Sequence, residues 1–258
     1  MDKRHRLFLI LAGFFITNTL IAEFIGIKIF SLEETFGFKP LDMKLFGVEG
    51  LGFNLTAGVM LWPVVFVMTD IINEYYGKKG VRFLSNMAVA LILYAFLIFY
   101  AGIKLVPNEW WQFQSGIHDD PSQSLEDMDL AFRRVFGQGL WIIIGSLVAF
   151  LVGQVVDVLV FHRIKRATGE GKVWLRATGS TVVSQFIDSY VVLVIAFYVG
   201  ADWDIVRVLA IGTVNYLYKF SLAIILTPMI YLGHYLIDRY LGEKLATKMK
   251  QEAQAGTN

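Results

Sequence analysis

Six apolar runs, each about as long as a membrane crossing, constrain this chain more than any other feature. They cover about 7–30, 51–73, 83–106, 139–161, 179–200 and 206–232, and a helix needs roughly 20 residues to cross a hydrocarbon core. The chain is 56% hydrophobic and 17% charged, against about 25% charged in a soluble domain. It therefore reads as an all-α integral membrane protein, a single six-span domain over residues 1–258. The N-terminal MDKRHRLFLILAGFFI imitates a signal peptide, but apolar character continues to Phe30 with no small-x-small cleavage site, which predicts an uncleaved first span.

The charges between the runs alternate in sign. Lys3, Arg4 and Arg6 precede the first run; Lys78, Lys79 and Arg82 follow the second; Arg163, Lys165, Arg166, Lys172 and Arg176 follow the fourth. Arg239, Lys244, Lys248 and Lys250 follow the sixth, while the intervening loops carry Glu33, Glu34, Asp42 and Glu49, then Asp119 to Asp129, then Asp202 and Asp204. Basic loops stay in the cytoplasm, so both termini are expected there. The long outer loop, 107–138, lies between the third and fourth spans. It contains SLEDMDLAFRRVFG, with Leu125, Met128, Phe132 and Val135 at helical spacing, and predicts a short interfacial helix capped by Ser124 and stopped by Gly137. A lid packed on the bundle is the other reading of the same pattern.

Ionisable groups inside spans are costly in lipid and usually face a bundle interior or a wet cavity. Here they align. The fifth span carries Thr181, Ser184, Gln185 and Asp188 on one face, with Arg176 and Ser180 at its cytoplasmic entrance. The second ends in VMTDIINEYYG, whose Asp70, Asn73 and Glu74 share a face. The fourth offers Ser146, Gln154 and Asp157, the sixth Asn215 and Lys219, and the first Asn18, Thr19, Glu23 and Gly26. Pro63 and Pro228 are expected to break helices within the second and sixth spans, and Trp62 to add a flat aromatic surface. Small residues on these faces leave both internal packing and a homodimer open.

Several classes are excluded or unsupported. The chain has no cysteine, so it has no disulfide, thiolate metal site or cysteine nucleophile. Its four histidines, His5, His118, His162 and His234, lack metal-ligand spacing, and no cofactor is implied. Gly171-Lys172 has Arg166 where a phosphate loop needs glycine and Val173 where it needs Ser or Thr. A net charge of +1 gives no reason to expect nucleic acid, and no catalytic constellation argues for an enzyme.

The second span and its exit, LWPVVFVMTDIINEYYGKKGVR, resemble the signature of the queuosine precursor transporter family, also called the vitamin uptake transporter family. SLVAFLVGQVVDVLVFHRIKR through KVWLRATGSTVVSQFIDSYVV, and NYLYKFSLAIILTPMIYL, are similar to it as well; only the termini and the 107–138 loop fall outside. The resemblance implies import of 7-cyano-7-deazaguanine, 7-aminomethyl-7-deazaguanine or queuine, in the plasma (inner) membrane of a prokaryote. The expected partners are the bilayer and this purine-like small molecule. A guanine-like edge presents two donors that one carboxylate can accept. On this reading Asp188 or Glu74 reads the base, and Gln185, Asn73 and Ser184 supply amide and hydroxyl contacts. Lys219 and Arg176 stand near the acids, and Asp70, Ser180, Thr181 and Asn215 complete the candidate set. Carboxylates at membrane depth can carry protons, which makes Asp157 and Asp188 the leading candidates for coupling. The alternative is a substrate-capture subunit of an ATP-driven vitamin importer.

Overall fold

The structure, a computed structural model, describes residues 1–113, 126–137, 139–169 and 173–256. Helix α1 (Lys3–Ile25) starts where the Asp2 carboxylate accepts the His5 backbone N–H at 2.8 Å, a side-chain cap on an otherwise orphaned donor. The other long helices are α3 (Trp62–Ile103), α6 (Leu140–Thr168), α7 (Val173–Leu193, continued by a wider π turn to Val199) and α8 (Ile205–Ile225). Among the described residues, five helical stretches are long and apolar enough to cross a membrane. Their outward faces carry large exposed apolar residues such as Leu97, Leu159 and Ile224. A soluble surface would hide these; a lipid-facing one displays them.

Helix α3 accounts for two of the expected runs. As a straight helix its 42 residues would measure about 63 Å, but Gly77 (φ 67°, ψ −171°) interrupts it. The Oε1 of Gln154 accepts from Thr69 Oγ1 at 3.1 Å and from Ser85 Oγ at 3.4 Å. Along a straight helix those hydroxyls would stand about 24 Å apart. The chain therefore doubles back at Gly77, and α3 is two antiparallel arms, 62–76 and 78–103. Glycine is required at the turn because that backbone region is closed to residues with a Cβ. An added Cβ would also meet the Ala253 carbonyl at 3.0 Å.

Both ends of the chain lie beside this turn. Lys3 Nζ donates to the Tyr240 carbonyl at 2.9 Å, and Arg4 pairs with Glu252 at 2.8 Å. Helix α9 (Thr227–Leu241) and the amphipathic α10 (Glu243–Ala255) close this terminal side, burying Ile237, Leu241, Ala246 and Met249 against α1 and α3.

Three expectations change. The first span ends early: α1 stops at Ile25, and Ile29–Ser31 is a strand, β1. After the short α2 (Leu32–Thr35) come β2 (Met43–Leu45), β3 (Val48–Leu51) and β4 (Asn54–Thr56), with β1 pairing β4 and β2 pairing β3, both antiparallel. The apolar run from Leu51 is thus not yet helix. Gly47 and Gly50 take positive φ there, and Ala57–Met60 forms only a 3-10 turn. Pro63 does not break a helix in mid-span, since it sits in the first turn of α3, where a missing N–H costs nothing; Pro228 lies in the first turn of α9, where the sixth run is interrupted at Leu226 as expected. Finally, after the short α4 (Glu109–Phe113), the outer-loop helix α5 (Met128–Phe136) is capped by Asp127; Ser124 and Leu125 lie outside the described residues. Phe132 and Phe136 pack on Trp111 and Phe99, so α5 lies against α3.

Candidate functional site

Arg176, Ser180, Ser184 and Asp188 recur every four residues along α7, covering about 18 Å on one face. Each meets a charged partner from another helix. Nearest the terminal side, Arg176 Nη2 and Lys165 Nζ of α6 donate to the same oxygen, Glu74 Oε1, at 2.8 and 3.0 Å. One turn on, Ser180 and Thr181 donate to the two oxygens of Asp70 at 3.3 and 3.2 Å. At the next rung Ser184 Oγ donates to Asp157 Oδ1 at 3.1 Å. Beside this column His162 Nε2 lies 2.8 Å from Asn73 Oδ1. All of these side chains are buried, with Glu74, Asp70 and Asp157 at 0% exposure. A buried ion pair persists only with close geometry and further bonds; both cations meet Glu74 closely at Oε1, while its Oε2 has no hydrogen-bond partner among the described residues.

Above the third rung the column opens. A cavity of about 420 Å³ lies on the side away from the termini, between α1, α6, α7 and α8. That volume is in the range of small-molecule sites. Glu23, Trp62, Ser146, Asp188, Asn215 and Lys219 line it, and Arg133 and Arg134 of α5 stand at its mouth. Lys219 Nζ is ion-paired with Asp188 Oδ2. Ser146 Oγ donates to Glu23 Oε2 at 2.7 Å. The indole of Trp62 packs on Phe150 with ring centroids 5.6 Å apart, which fixes one aromatic face beside the opening. The π turn at Val194–Val199 places Ala196 and Phe197 in the same wall; such turns often occur where function needs a displaced backbone.

The structure thus divides the candidate residues. Asp188, Asn215 and Lys219 line the cavity. Asp70, Asn73, Glu74, Arg176, Ser180, Thr181, Ser184 and Asp157 form the column beneath it, and Gln185 lies with Thr181 against a crevice of only about 10 Å³. Asp70 and Glu74 therefore stand in the column beneath the cavity and not on its wall. Glu23, Ser146 and Trp62 belong to the cavity and were outside the candidate set. An acid inside the first apolar run, and a tryptophan preceding Pro63, were the available signals. Among the described residues no group of three acids or histidines is placed to hold a metal ion.

A lipid-facing helical bundle, with a cavity on one side and a buried charged column beneath it, has the build of a polytopic membrane transporter. Residues 56–233 match the profile of the family described as "Putative vitamin uptake transporter", and the chain belongs to that family. Among its relatives is the "Probable queuosine precursor transporter" of Bacillus subtilis (strain 168), 29% identical over 191 residues, covering 74% of this chain and 76% of the relative. A protein of the same name from Haemophilus influenzae (strain ATCC 51907 / DSM 11121 / KW20 / Rd) is 30% identical over 175 residues, covering 67% and 66%. The "Queuosine precursor transporter" of Escherichia coli (strain K12) is 26% identical over 179 residues, covering 69% and 72%. No solved structure matches the chain.

Proposed function

We propose that this chain imports 7-deazaguanine queuosine precursors across the plasma membrane of a prokaryote, taking them up in the cavity between α1, α6, α7 and α8. The observation that carries this reading is the cavity itself, where two carboxylates, an ammonium, an amide and a fixed indole converge. A guanine-like base offers two adjacent donors, a carbonyl and a flat ring, which call for those groups. The names of the relatives support the substrate class. Six crossings follow if α1, both arms of α3, α6, α7 and α8 span, with the termini, the Gly77 turn and the basic loops in the cytoplasm. The cavity then faces outward and the α7 column is the inner seal. Asp157, bonded to Ser184, and Asp188, one helical turn further along α7, are the proposed proton carriers.

The buried polar atoms that lack a protein partner among the described residues include Asn73 Nδ2, Gln154 Nε2, Asp157 Oδ2 and Gln185 Nε2, all in or beside the column. Resting cores pair such atoms. Their concentration here suits a seal that exchanges partners during transport.

The test is binding, then uptake. Detergent-solubilised protein is heated with 7-cyano-7-deazaguanine, 7-aminomethyl-7-deazaguanine, queuine, guanine and adenine. A ligand at 100 times its Kd adds about 2.7 kcal/mol to a two-state equilibrium, and the deazaguanines are expected to rank first. No stabilisation by any of them refutes the substrate. Uptake by the pure chain in liposomes is the expected second result; uptake only with a co-purifying ATPase would make it the capture subunit instead.

A further inference from the structure

Another cavity, of about 330 Å³, lies at the terminal-side end of the column, apart from the one between α1, α6, α7 and α8. Three elements build it. Lys78 opens the second arm of α3, His162, Lys165 and Arg166 come from the last turns of α6, and residues 253–256 of α10 form the remaining wall. Among the described residues three of its lining side chains are cationic and none is acidic. Two of the polar side chains on its wall are themselves buried. Lys165 donates to Glu74, and His162 holds one ring nitrogen 2.8 Å from Asn73 Oδ1. Lys78 and Arg166 are exposed, and neither side chain has an ion pair among the described residues. Cations in the last turn of α6 complement its dipole, but Lys78 stands at the start of an arm, the end where a helix favours an anion. Cations brought together from separate helices repel unless a negative group stands between them.

We propose that this cavity binds a phosphate group, held chiefly by Lys78 and Arg166. A guanidinium can give two parallel bonds to phosphate oxygens, and an ammonium acts on another as a point charge. Phosphate is the anion that fits, because its oxygens point in all directions and take donors from separate elements. A planar carboxylate is met along one edge. The only apolar residues on the wall are Ala253, Ala255 and Gly256, so the cavity offers no slot for an aromatic ring or an acyl chain. Inorganic phosphate and the headgroup of phosphatidic acid present the same chemistry here. The site is independent of the base cavity and does not rest on what that cavity takes up.

The chain has no cysteine, and Gln254 is an exposed residue on the cavity wall, so a single Gln254→Cys reporter reads occupancy. The full-length chain is placed in phosphatidylcholine nanodiscs and labelled with a neutral maleimide. Inorganic phosphate is expected to slow labelling saturably, where chloride at equal ionic strength does not. Lys78→Gln and Arg166→Gln should each raise the phosphate concentration needed by roughly tenfold, the loss of one charge-assisted bond. Both residues are exposed, and either variant serves if the other fails to fold. Lys79→Gln, which removes the next charge but one that faces a separate hollow beside Phe8 and Phe83, should change nothing. In a second arm the nanodiscs contain phosphatidic acid and no phosphate is added. Slow labelling in that arm alone, reversed by Lys78→Gln or Arg166→Gln, also supports the site and assigns its phosphate to a lipid headgroup. Labelling that neither phosphate nor phosphatidic acid slows overturns the proposal. So does protection that survives both Lys78→Gln and Arg166→Gln, and so does protection that Lys79→Gln removes as fully as they do.

Discussion

Replacing Glu74 by glutamine should unlatch the seal. In the native chain Lys165 and Arg176 share one oxygen of Glu74 at 3.0 and 2.8 Å, and their side chains are 2% and 1% exposed. Glutamine keeps the shape and removes the charge that the two buried cations share. Removing one partner of a buried pair costs about 3–5 kcal/mol, and each 1.4 kcal/mol is tenfold in an equilibrium. If the cost falls on the sealed state, its population relative to an opened, hydrated one drops by roughly two to three and a half powers of ten. The chain has no cysteine, so a single Ser180→Cys reporter one turn above the latch gives a clean reading. A membrane-impermeant thiol reagent applied from the terminal side should label that reporter slowly in the parent and at least a hundredfold faster with Glu74→Gln. Adding Lys165→Met removes one of the two cations that repel each other there and should recover part of the protection. Equal labelling rates and equal thermal stability with and without Glu74→Gln would refute the latch.

Gly77→Ala forces a Cβ into a backbone region that only glycine enters freely and against the Ala253 carbonyl. It should cost about 1–3 kcal/mol, seen as a lower thermal midpoint; an unchanged midpoint would mean the two arms of α3 do not need this turn. Trp62→Ala should weaken deazaguanine binding by the worth of one stacked base, about 1–3 kcal/mol, measured by equilibrium binding, with unchanged affinity removing the indole from the site. Asp157→Asn should abolish acceleration of uptake by an inward proton gradient while leaving substrate exchange intact; gradient stimulation that survives would exclude Asp157 as a carrier. The hydroxyls of Thr178 and Thr227 lie 2.8 Å apart, so cysteines at both positions should oxidise to a bridge between α7 and α9. Base binding should then persist while uptake stops until reduction, and uptake that continues would show that α7 does not move against α9.

The positions of the apolar runs and the polar face of α7 were legible because both are periodic. Thr181, Ser184, Gln185 and Asp188 announce a face at helical spacing, whatever lies opposite. What opposes a face is not periodic and could not be read. Asp70 and Glu74 look alike on the second run, yet one accepts hydroxyls and the other two cations, because Lys165 arrives from a residue 91 positions away. Hydropathy also hid the early end of the first span and the late start of the second. Ile29, Phe30 and Leu55 are as apolar as helix residues, and only the pairing of β1 with β4 decides that they are strands. Pro63 was legible as a boundary but was read as an interruption, since the strand before it was not foreseen. Glu23 was visible as an acid in an apolar run; that it meets Ser146, 123 positions distant, was not.

The four-residue spacing on α7 has a mechanical consequence. Arg176, Ser180 and Ser184 belong to one continuous helix, and their partners belong to α3 and α6. A rigid shift of α7 by an ångström or two lengthens all three sets of contacts together, since hydrogen bonds weaken steeply beyond about 3.5 Å. Asp188 sits on the same helix one turn above the top rung, inside the cavity. On the proposed reading, a ligand that draws on Asp188 acts directly on the element that carries the seal, and one that draws on Lys219 of α8 acts on it through the Lys219–Asp188 pair. That arrangement also explains why the seal is polar. An apolar plug would separate at the full cost of exposing hydrocarbon to water, whereas carboxylates, hydroxyls and cations exchange one another for water at a much smaller net cost. On the proposed reading the same exchange requires the resting contacts to be many and individually modest at the serine rungs, with the ion pair at Glu74, nearest the terminal side, holding the closed state.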